Sequence, residues 1–355
     1  MATSFKTLLP NDIQSTRTKL HESIPLTGTI ISGTYSDLNI KNYSHGMFQS
    51  VYDYPYLSSS ANHIFDMTVG YSSTSDLSGS PGTHVQRGDK IDIYNEIAQV
   101  VAGYSSTGNI QGLDHSGSFG TGDSASTMKN IIVFNFARLL TKDQIQIAAN
   151  GFQMSLGVGA AYATPYSDNL LIQDNNGTNS FTNSPAGRFN TLFATNAGVV
   201  TNEACGLIFY DAGIAVLTAS VFNSTFNGAT DCVMSAQFTP NLDMNELLVT
   251  GSISGSCDAI RRRVQNISFN NTTELNSTIY FCRTSFNEFN YSSNPTYITG
   301  SKLRVKSVAT DDPVSYITTV GLYSPDNELL AVGKVSEPLK KTPSNEYTLR
   351  VRLDY

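Results

Sequence analysis

Tryptophan is absent from this chain, and charged side chains make up only 14% of it, against about 25% in an average globular protein. So little charge disfavours helix bundles, whose solvated faces are built from Glu, Lys and Arg. The missing Trp removes the largest aromatic platform on which a sugar ring could stack. A net charge of −7 supplies no basic footprint for nucleic acid. Only four cysteines occur, Cys205, Cys232, Cys257 and Cys282, at spacings of 27, 25 and 25 residues. That is neither a paired zinc spacing nor a dense disulfide frame. Three of them have apolar or small flanks, as in "ACGLIFY" and "IYFCR", so the four read as unbridged thiols in a reducing compartment. The N-terminal "MATSFKTLLPNDIQSTRTKL" lacks the pattern of a secretory signal. No apolar run reaches the ~18 residues that a membrane-spanning helix needs.

In place of charge the sequence uses Ser, Thr, Asn and Gly throughout, as in "SFNNTTELNSTIYF" (268–281). Such composition suits packed β-structure, and the expected fold is α+β and β-dominated: antiparallel sheets and hairpins with a few short helices. Residues 1–60 read as an extended arm, with a short helix after Pro10 over 11–20 capped by Asn11 or Asp12, a strand-like "GTIISGTY" (28–35) and a tyrosine-rich "YDYPYLSSS". Residues 61–240 read as a central α+β core domain and 241–355 as a C-terminal antiparallel β domain. In the core domain, 61–71 is ambiguous between helix and strand. The periodicity of Ile93, Ile97, Val100 and Val101 predicts a helix over 89–104, capped by Asp89 and stopped by Gly103. Strands are expected at 129–136 and 151–159, with a short helix between them at 140–149 that opens with Thr141 and Gln144 in capping-box spacing. "ACGLIFYDAGIAVLTASVF" (204–222) predicts a hairpin closed by a three-residue loop, Asp211-Ala212-Gly213. Both its arms are apolar on both faces, which places it at the centre of the core. Helical or mixed structure is expected at 241–265, then strands at 266–271, 275–283, 302–308, 314–323, 328–335 and 346–354. In the last hairpin Pro325-Asp326-Asn327 forms the turn. Val320, Leu322, Leu329, Ala331 and Val335 are expected inward, with the second strand covered on both faces.

No cluster announces chemistry. His21, His45, His63, His84 and His115 each stand alone, outside any metal-binding spacing. There is no Gly-x-Ser-x-Gly elbow. "GSFGTGD" (116–122) lacks the Lys-Ser/Thr of a phosphate loop, and "GVGAAY" (157–162) opens no helix pattern. "QRGDK" (86–90) reads as the turn that starts a helix. Arg261, Arg262 and Arg263 suit a helix C-terminus, or else an anchor for an acidic partner or phosphate. No catalytic, cofactor-binding or metal-binding residue is assigned, no cofactor is expected, and the chain reads as a non-enzyme.

"ITTVGLYSPDNELLAVGK" (317–334) resembles a strand–turn–strand signature of structural proteins in tailed bacteriophage virions. "SFKTLLPNDI" (4–13), "LLTKDQIQ" (139–146), "GLIFYDAGIAVLTAS" (206–220) and "SFNNTTELNSTIYFCR" (268–283) resemble a family of virion structural proteins of large contractile-tailed phages, including those of cyanobacteria. The resemblance implies a non-enzymatic structural subunit, assembled in the host cytoplasm and located in the virion. Its expected place is the contractile tail's baseplate or attachment region, with other virion proteins as partners and no direct contact with nucleic acid. The alternatives are a neck or head-to-tail connector, or a receptor-binding or carbohydrate-degrading tail component. The family implies no active-site residues.

Overall fold

A computed structural model describes residues 5–27, 37–79, 84–119, 127–159, 166, 168–175, 181–196, 200–227, 232, 242–292, 294–300, 302–304, 306, 308 and 310–355. In chain order its strands are β1 (Ile13–Thr27), β2 (Ile40–Asn42), β3 (Gln49–Tyr52), β4 (His63–Tyr71), β5 (Asn130–Phe136), β6 (Gln144–Ile145), β7 (Phe152–Val158), β8 (Asp168–Gln173) and β9 (Thr182–Ser184). There follow β10 (Gly187–Asn196), β11 (Val200–Phe209), β12 (Ile214–Thr218), β13 (Val264–Thr284), β14 (Ile298–Thr299), β15 (Lys302–Leu303), β16 (Ser315–Tyr323), β17 (Leu329–Lys341) and β18 (Tyr347–Asp354). The helices are α1 (Arg87–Val101), α2 (Arg138–Thr141), α3 (Ser224–Asn227), α4 (Met244–Thr250) and α5 (Ile253–Arg261). The fold is β-dominated with antiparallel sheets and few, short helices, as the composition implies.

The chain divides into two compact units: Met1–Lys19 with Glu274–Tyr355, and Leu20–Thr273. These boundaries differ from those expected at 60/61 and 240/241. The expected arm contributes to both units, and residues 241–273, with α4 and α5, belong with the larger one.

In the larger unit an antiparallel sheet runs in the order β13-β7-β8-β10-β11-β12-β5-β4-β3-β2. Its centre is the predicted hairpin: Leu207, Ile208 and Phe209 of β11 and Ala215, Val216 and Leu217 of β12 are all fully buried. Alternation sends these side chains to two different cores. Ile208, Ala215 and Leu217 join a cluster with Phe134 and Leu248. Leu207, Phe209 and Val216 join another with Tyr94, Ala98 and Val101 of α1. A sheet covered on both faces explains why these strands read as unbroken apolar runs. The register Phe209↔Ile214 leaves a four-residue connection, Tyr210–Gly213, rather than the three expected. Gly213 adopts φ +70° and its N–H closes the turn on the Phe209 carbonyl at 2.9 Å.

Two expected helices are replaced by extended chain. Over 11–20 only a single 3-10 turn forms, Pro10–Asp12, and β1 follows. The reason is a period of two: Ser15 meets Thr278, Arg17 and Lys19 both meet Glu274, and His21 meets Thr272, all on β13. Over 140–149 the helix stops at Thr141, where Lys142 turns to φ +57°. Gln144–Ile145 then pairs with β13, and the Ile145 N–H donates to the Tyr210 carbonyl at 2.9 Å. Tertiary backbone partners thus override a local capping pattern. The ambiguous 61–71 is β4, and the strands expected at 266–271 and 275–283 are one strand, β13. The strand-like 28–35 lies outside the described residues.

Helix α1 starts at Arg87 rather than Asp89, with Gln86 at the cap, so Arg87-Gly88-Asp89 is a first helical turn. Gly103 (φ +77°) ends it by donating to the Ala98 carbonyl at 3.1 Å. The helix lies close on β4, where a Cβ on Gly70 would sit 2.7 Å from the Lys90 carbonyl oxygen. Lys90 itself is fully buried. Its Nζ donates to the carbonyls of Val85 (2.8 Å), Leu248 (2.7 Å) and Gly251 (2.7 Å), the last two at the negative end of α4.

Burial lowers the Lys90 pKa to about 8, well below the ~10.4 of a lysine in an unfolded chain. Between those values the unfolded chain binds the extra proton, so folding stability should rise with pH from about 8 to about 10.4. Lys90→Met should lose that rise and, by orphaning three carbonyls, should destabilise by about 2–4 kcal/mol at pH 7. Denaturant melts of both proteins at several pH values check this.

All four cysteines are unbridged; Cys205, Cys232 and Cys257 are buried and Cys282 is half-buried. Burial pushes the Cys205 and Cys257 thiols far above their ordinary range. A thiol reagent should titrate four thiols after denaturation and at most Cys282 in the native protein. Rapid native labelling of two or more would contradict this packing.

Candidate interaction groove

In the smaller unit β18 pairs antiparallel with β13, from Ser277↔Asp354 to Thr284↔Tyr347. The β16–β17 hairpin forms a second layer: Gly333 of β17 faces Val351 of β18, 4.0 Å from a would-be Cβ. Its turn is closed by the Asn327 N–H on the Ser324 carbonyl (3.0 Å) and the Ser324 N–H on the Glu328 carbonyl (2.9 Å), with Asn327 at φ +65°. Leu322 is buried and Val320, Ala331 and Val335 are half-buried, in line with the alternation. Leu329 is not inward; it is 52% exposed, with Leu330 at 67% and Val332 at 52%. A register shift between Leu322 and Tyr323 sets Leu329 opposite Tyr323 and gives it the outward face of that ring. The second strand is therefore not covered on both faces.

The smaller unit is thinly packed. Among its described apolar residues only Ile279 and Leu322 are buried, whereas more than half of the exposed large apolar side chains among the described residues belong to it. Between its layers runs a groove of about 920 Å³. Tyr280, Leu349 and Leu353 from β13 and β18 line it, as does β16. The segment Phe5–Ile13 also lines it, anchored by Lys6 to Glu288 (2.5 Å) and by Asp12 to Arg283 (2.8 Å). Asp12 also accepts the Leu9 N–H at 3.1 Å, and the Phe5 ring meets Tyr323 edge-on at 5.0 Å. At one end Lys341, fully buried, donates to the Phe286 carbonyl (3.2 Å), Asn290 Oδ1 (2.8 Å) and the Thr342 carbonyl (2.9 Å), tying the 285–292 loop to the end of β17. Half-buried Cys282 lies along the groove, and burial followed by the nearby Asp12 charge raises its pKa. A raised thiol pKa is the opposite of what a nucleophilic cysteine needs.

Polar clusters elsewhere are structural in their geometry. Ser50 Oγ and His63 Nε2 both bond Asp66 Oδ1, at 2.5 and 2.8 Å. The carboxylate sits in the middle, so the imidazole does not touch the hydroxyl and cannot take its proton as in a serine triad. Arg188 grips Asp211 in the β11–β12 turn through both carboxylate oxygens (3.1 and 2.6 Å) and also bonds Gln144, fixing that turn against β10. Buried Tyr210 donates to buried Asp174, which Asn190 also contacts at 3.2 Å. Burial, then the Asp174 hydrogen bond, drives the phenol pKa far up, which keeps it a neutral donor.

The structure does not bring the five histidines together. His21 bonds Thr272, His45 stacks on Tyr43, and His63 bonds Asp66. No group of three or more potential metal ligands forms among the described residues. Of the arginine run, Arg261 pairs with Asp258 (3.2 Å). Arg263 is fully buried, donates to the Gly157 and Gly159 carbonyls at 3.2 Å and lies over the Tyr166 ring. Arg261 is thus spent within α5, and Arg263, just past its end, ties the chain to β7. No described helix is long and apolar enough to cross a membrane.

The groove escaped the sequence reading because its lining comes from the two ends of the chain, Phe5–Ile13 and Tyr280–Leu353. The available signal was the excess of apolar side chains over buried positions in the last eighty residues. No protein-family model, curated protein or solved structure matches this chain.

Leu329→Asp should change stability by no more than about 0.5 kcal/mol, as for other surface substitutions. Leu322→Asp should destabilise the smaller unit by several kcal/mol, because the new charge is buried without a partner. Denaturant unfolding of the two variants, followed by tyrosine fluorescence, separates the outcomes.

Proposed function

We propose that the chain is a non-enzymatic structural subunit of a bacteriophage virion, placed in the contractile tail's baseplate or attachment region. The observation that carries this reading is the unfinished packing of the smaller unit. A chain of its size normally offsets the entropy of ordering by burying a contiguous apolar core. Of its described apolar side chains this unit buries two, and it leaves Tyr316, Tyr323, Leu329, Leu330 and Val332 exposed on one hairpin. Large apolar side chains left exposed together on one hairpin support reading it as an interaction site. Neighbouring virion proteins would cover it, and the low charge of the chain as a whole suits broad contacts bonded through backbone and Asn, Ser or Thr side chains. The sequence resemblance to virion structural proteins supplies the particular assembly. The polar clusters, each spent on internal bonds, are consistent with a subunit that does no chemistry.

The double substitution Leu330→Asp with Val332→Asp should leave the isolated protein folded, since both side chains are exposed. In particles assembled with the variant, incorporation should fall at least about tenfold, equivalent to about 1.4 kcal/mol of lost contact. Incorporation at the wild-type level would overturn the reading. A density map of the particle gives position and copy number together.

A further inference from the structure

We propose that the side chains of Lys341 and Asn290 condense into an intramolecular isopeptide bond, a covalent cross-link within the smaller unit. The bond concerns that unit alone and does not depend on the assembly reading.

Proximity is the first argument. Lys341 ends β17 and is fully buried, and its Nζ lies 2.8 Å from Asn290 Oδ1. A C=O bond is about 1.23 Å long, so Asn290 Cγ is at most about 4 Å from that nitrogen. Lys341 Nζ and Asn290 Nδ2 both donate to the Phe286 carbonyl, at 3.2 and 2.8 Å. The amine thus sits beside both the oxygen and the nitrogen of the amide. The loop is held from the neighbouring strand as well: Ser315, the register partner of Lys341, donates its hydroxyl to the Phe289 carbonyl. Well-oriented groups held together in this way react at effective molarities of about 10⁵–10⁸ M.

Charge is the second argument. Buried Lys90 shows how this chain houses an ammonium, on three backbone carbonyls, two of them at the C-terminal end of α4 where the dipole favours a cation. Lys341 has no such helix end, because α1 to α5 all belong to the larger unit. Among the described residues no carboxylate pairs with it either. A buried ammonium without a counter-charge is costly. An amide in its place is neutral, and its N–H still satisfies one of the neighbouring carbonyls.

The third argument is the thin core. Of its described apolar side chains the smaller unit buries only Ile279 and Leu322. Small scaffolds of that kind are commonly stapled by disulfides or metal ions. This one holds a single cysteine, Cys282, and no group of metal ligands forms among the described residues. The Lys341–Asn290 bond fastens the 285–292 loop to the end of β17. It joins residues 51 positions apart, and closing so long a loop restricts the unfolded chain.

The step balances as a condensation. The ammonium first gives a proton to water, and the lone pair of the neutral amine attacks Asn290 Cγ. The Cγ–Nδ2 bond breaks as the Nζ–Cγ bond forms. One amine proton remains as the new amide N–H, and the other leaves with Nδ2 as ammonia. Nothing is oxidised or reduced.

Intact-mass measurement on full-length protein, kept folded for several days and then denatured, reads the bond directly. Most molecules should weigh one ammonia less than their sequence. Trypsin should release residues 284–302 joined to 341–350, since it does not cut after a linked Lys341, and fragmentation places the branch. Lys341→Arg, which keeps the charge and the donors, should show no ammonia loss, and neither should Asn290→Ala. The full sequence mass in the wild-type protein, or a digest without the joined peptides, overturns the proposal. So does a deficit that survives Asn290→Ala, because it assigns the lost ammonia elsewhere, for instance to a succinimide at Asn150-Gly151.

Discussion

Every buried backbone N–H and C=O must find a partner, and the two units of this chain meet that constraint to different extents. The larger unit meets it with one broad antiparallel sheet, in which β11 and β12 have a strand on either side. Because those strands have no open edge and no solvated face, their side chains are free to be apolar at every position. The two cores follow from that, as do the helices α1 and α5 that pack against β4. Irregular backbone in this unit is satisfied by long polar side chains instead. Lys90 closes three carbonyls, and Arg263 closes two, each at full burial. A cation spent on carbonyls is a costly choice in an apolar interior, and it marks places where no strand or helix could supply the partner.

The smaller unit leaves part of the same constraint open. Among the described residues its β16–β17 hairpin pairs with no further strand, and its two layers enclose a groove where a filled core would be expected. The anchors that exist are at its ends: Lys341 under the 285–292 loop and the ion pairs of Lys6 and Asp12. Exposed pairs such as Lys6–Glu288 contribute little stability. They fix position more than they hold the unit together.

How much of this was legible in the sequence depended on whether local pattern and tertiary partner agreed. The β11–β12 hairpin and α1 were readable because burial on two faces and a 3.6-residue period write directly into residue order. The stretch after Pro10 was not, because its period of two is carried by Ser15, Arg17 and Lys19, whose partners Thr278 and Glu274 lie some 260 residues away. The capping pattern at Thr141 and Gln144 misled for a related reason: Gln144 is bound to Arg188 and paired to β13. The outward turn of Leu329 depends on one extra residue in the strand, at the register shift beside Tyr323, and alternation cannot reveal a shift of its own phase. The groove was beyond reach for the reason already given: it is made by the two chain ends.

Absence of charge carries different meanings in the two units, and the difference bears on assembly. In β11 and β12 it accompanies complete burial and needs no further account. In β16 it accompanies exposure of Tyr316 and Tyr323 and an edge that pairs with nothing among the described residues, while its partner β17 carries charge. Proteins that stay monomeric usually place a lysine, a proline or a bulge on such an edge. β17 combines charges, a proline and two register shifts within thirteen residues. The protection therefore stops at one strand of a hairpin, and the strand without charge is the one that lines the groove along its whole length.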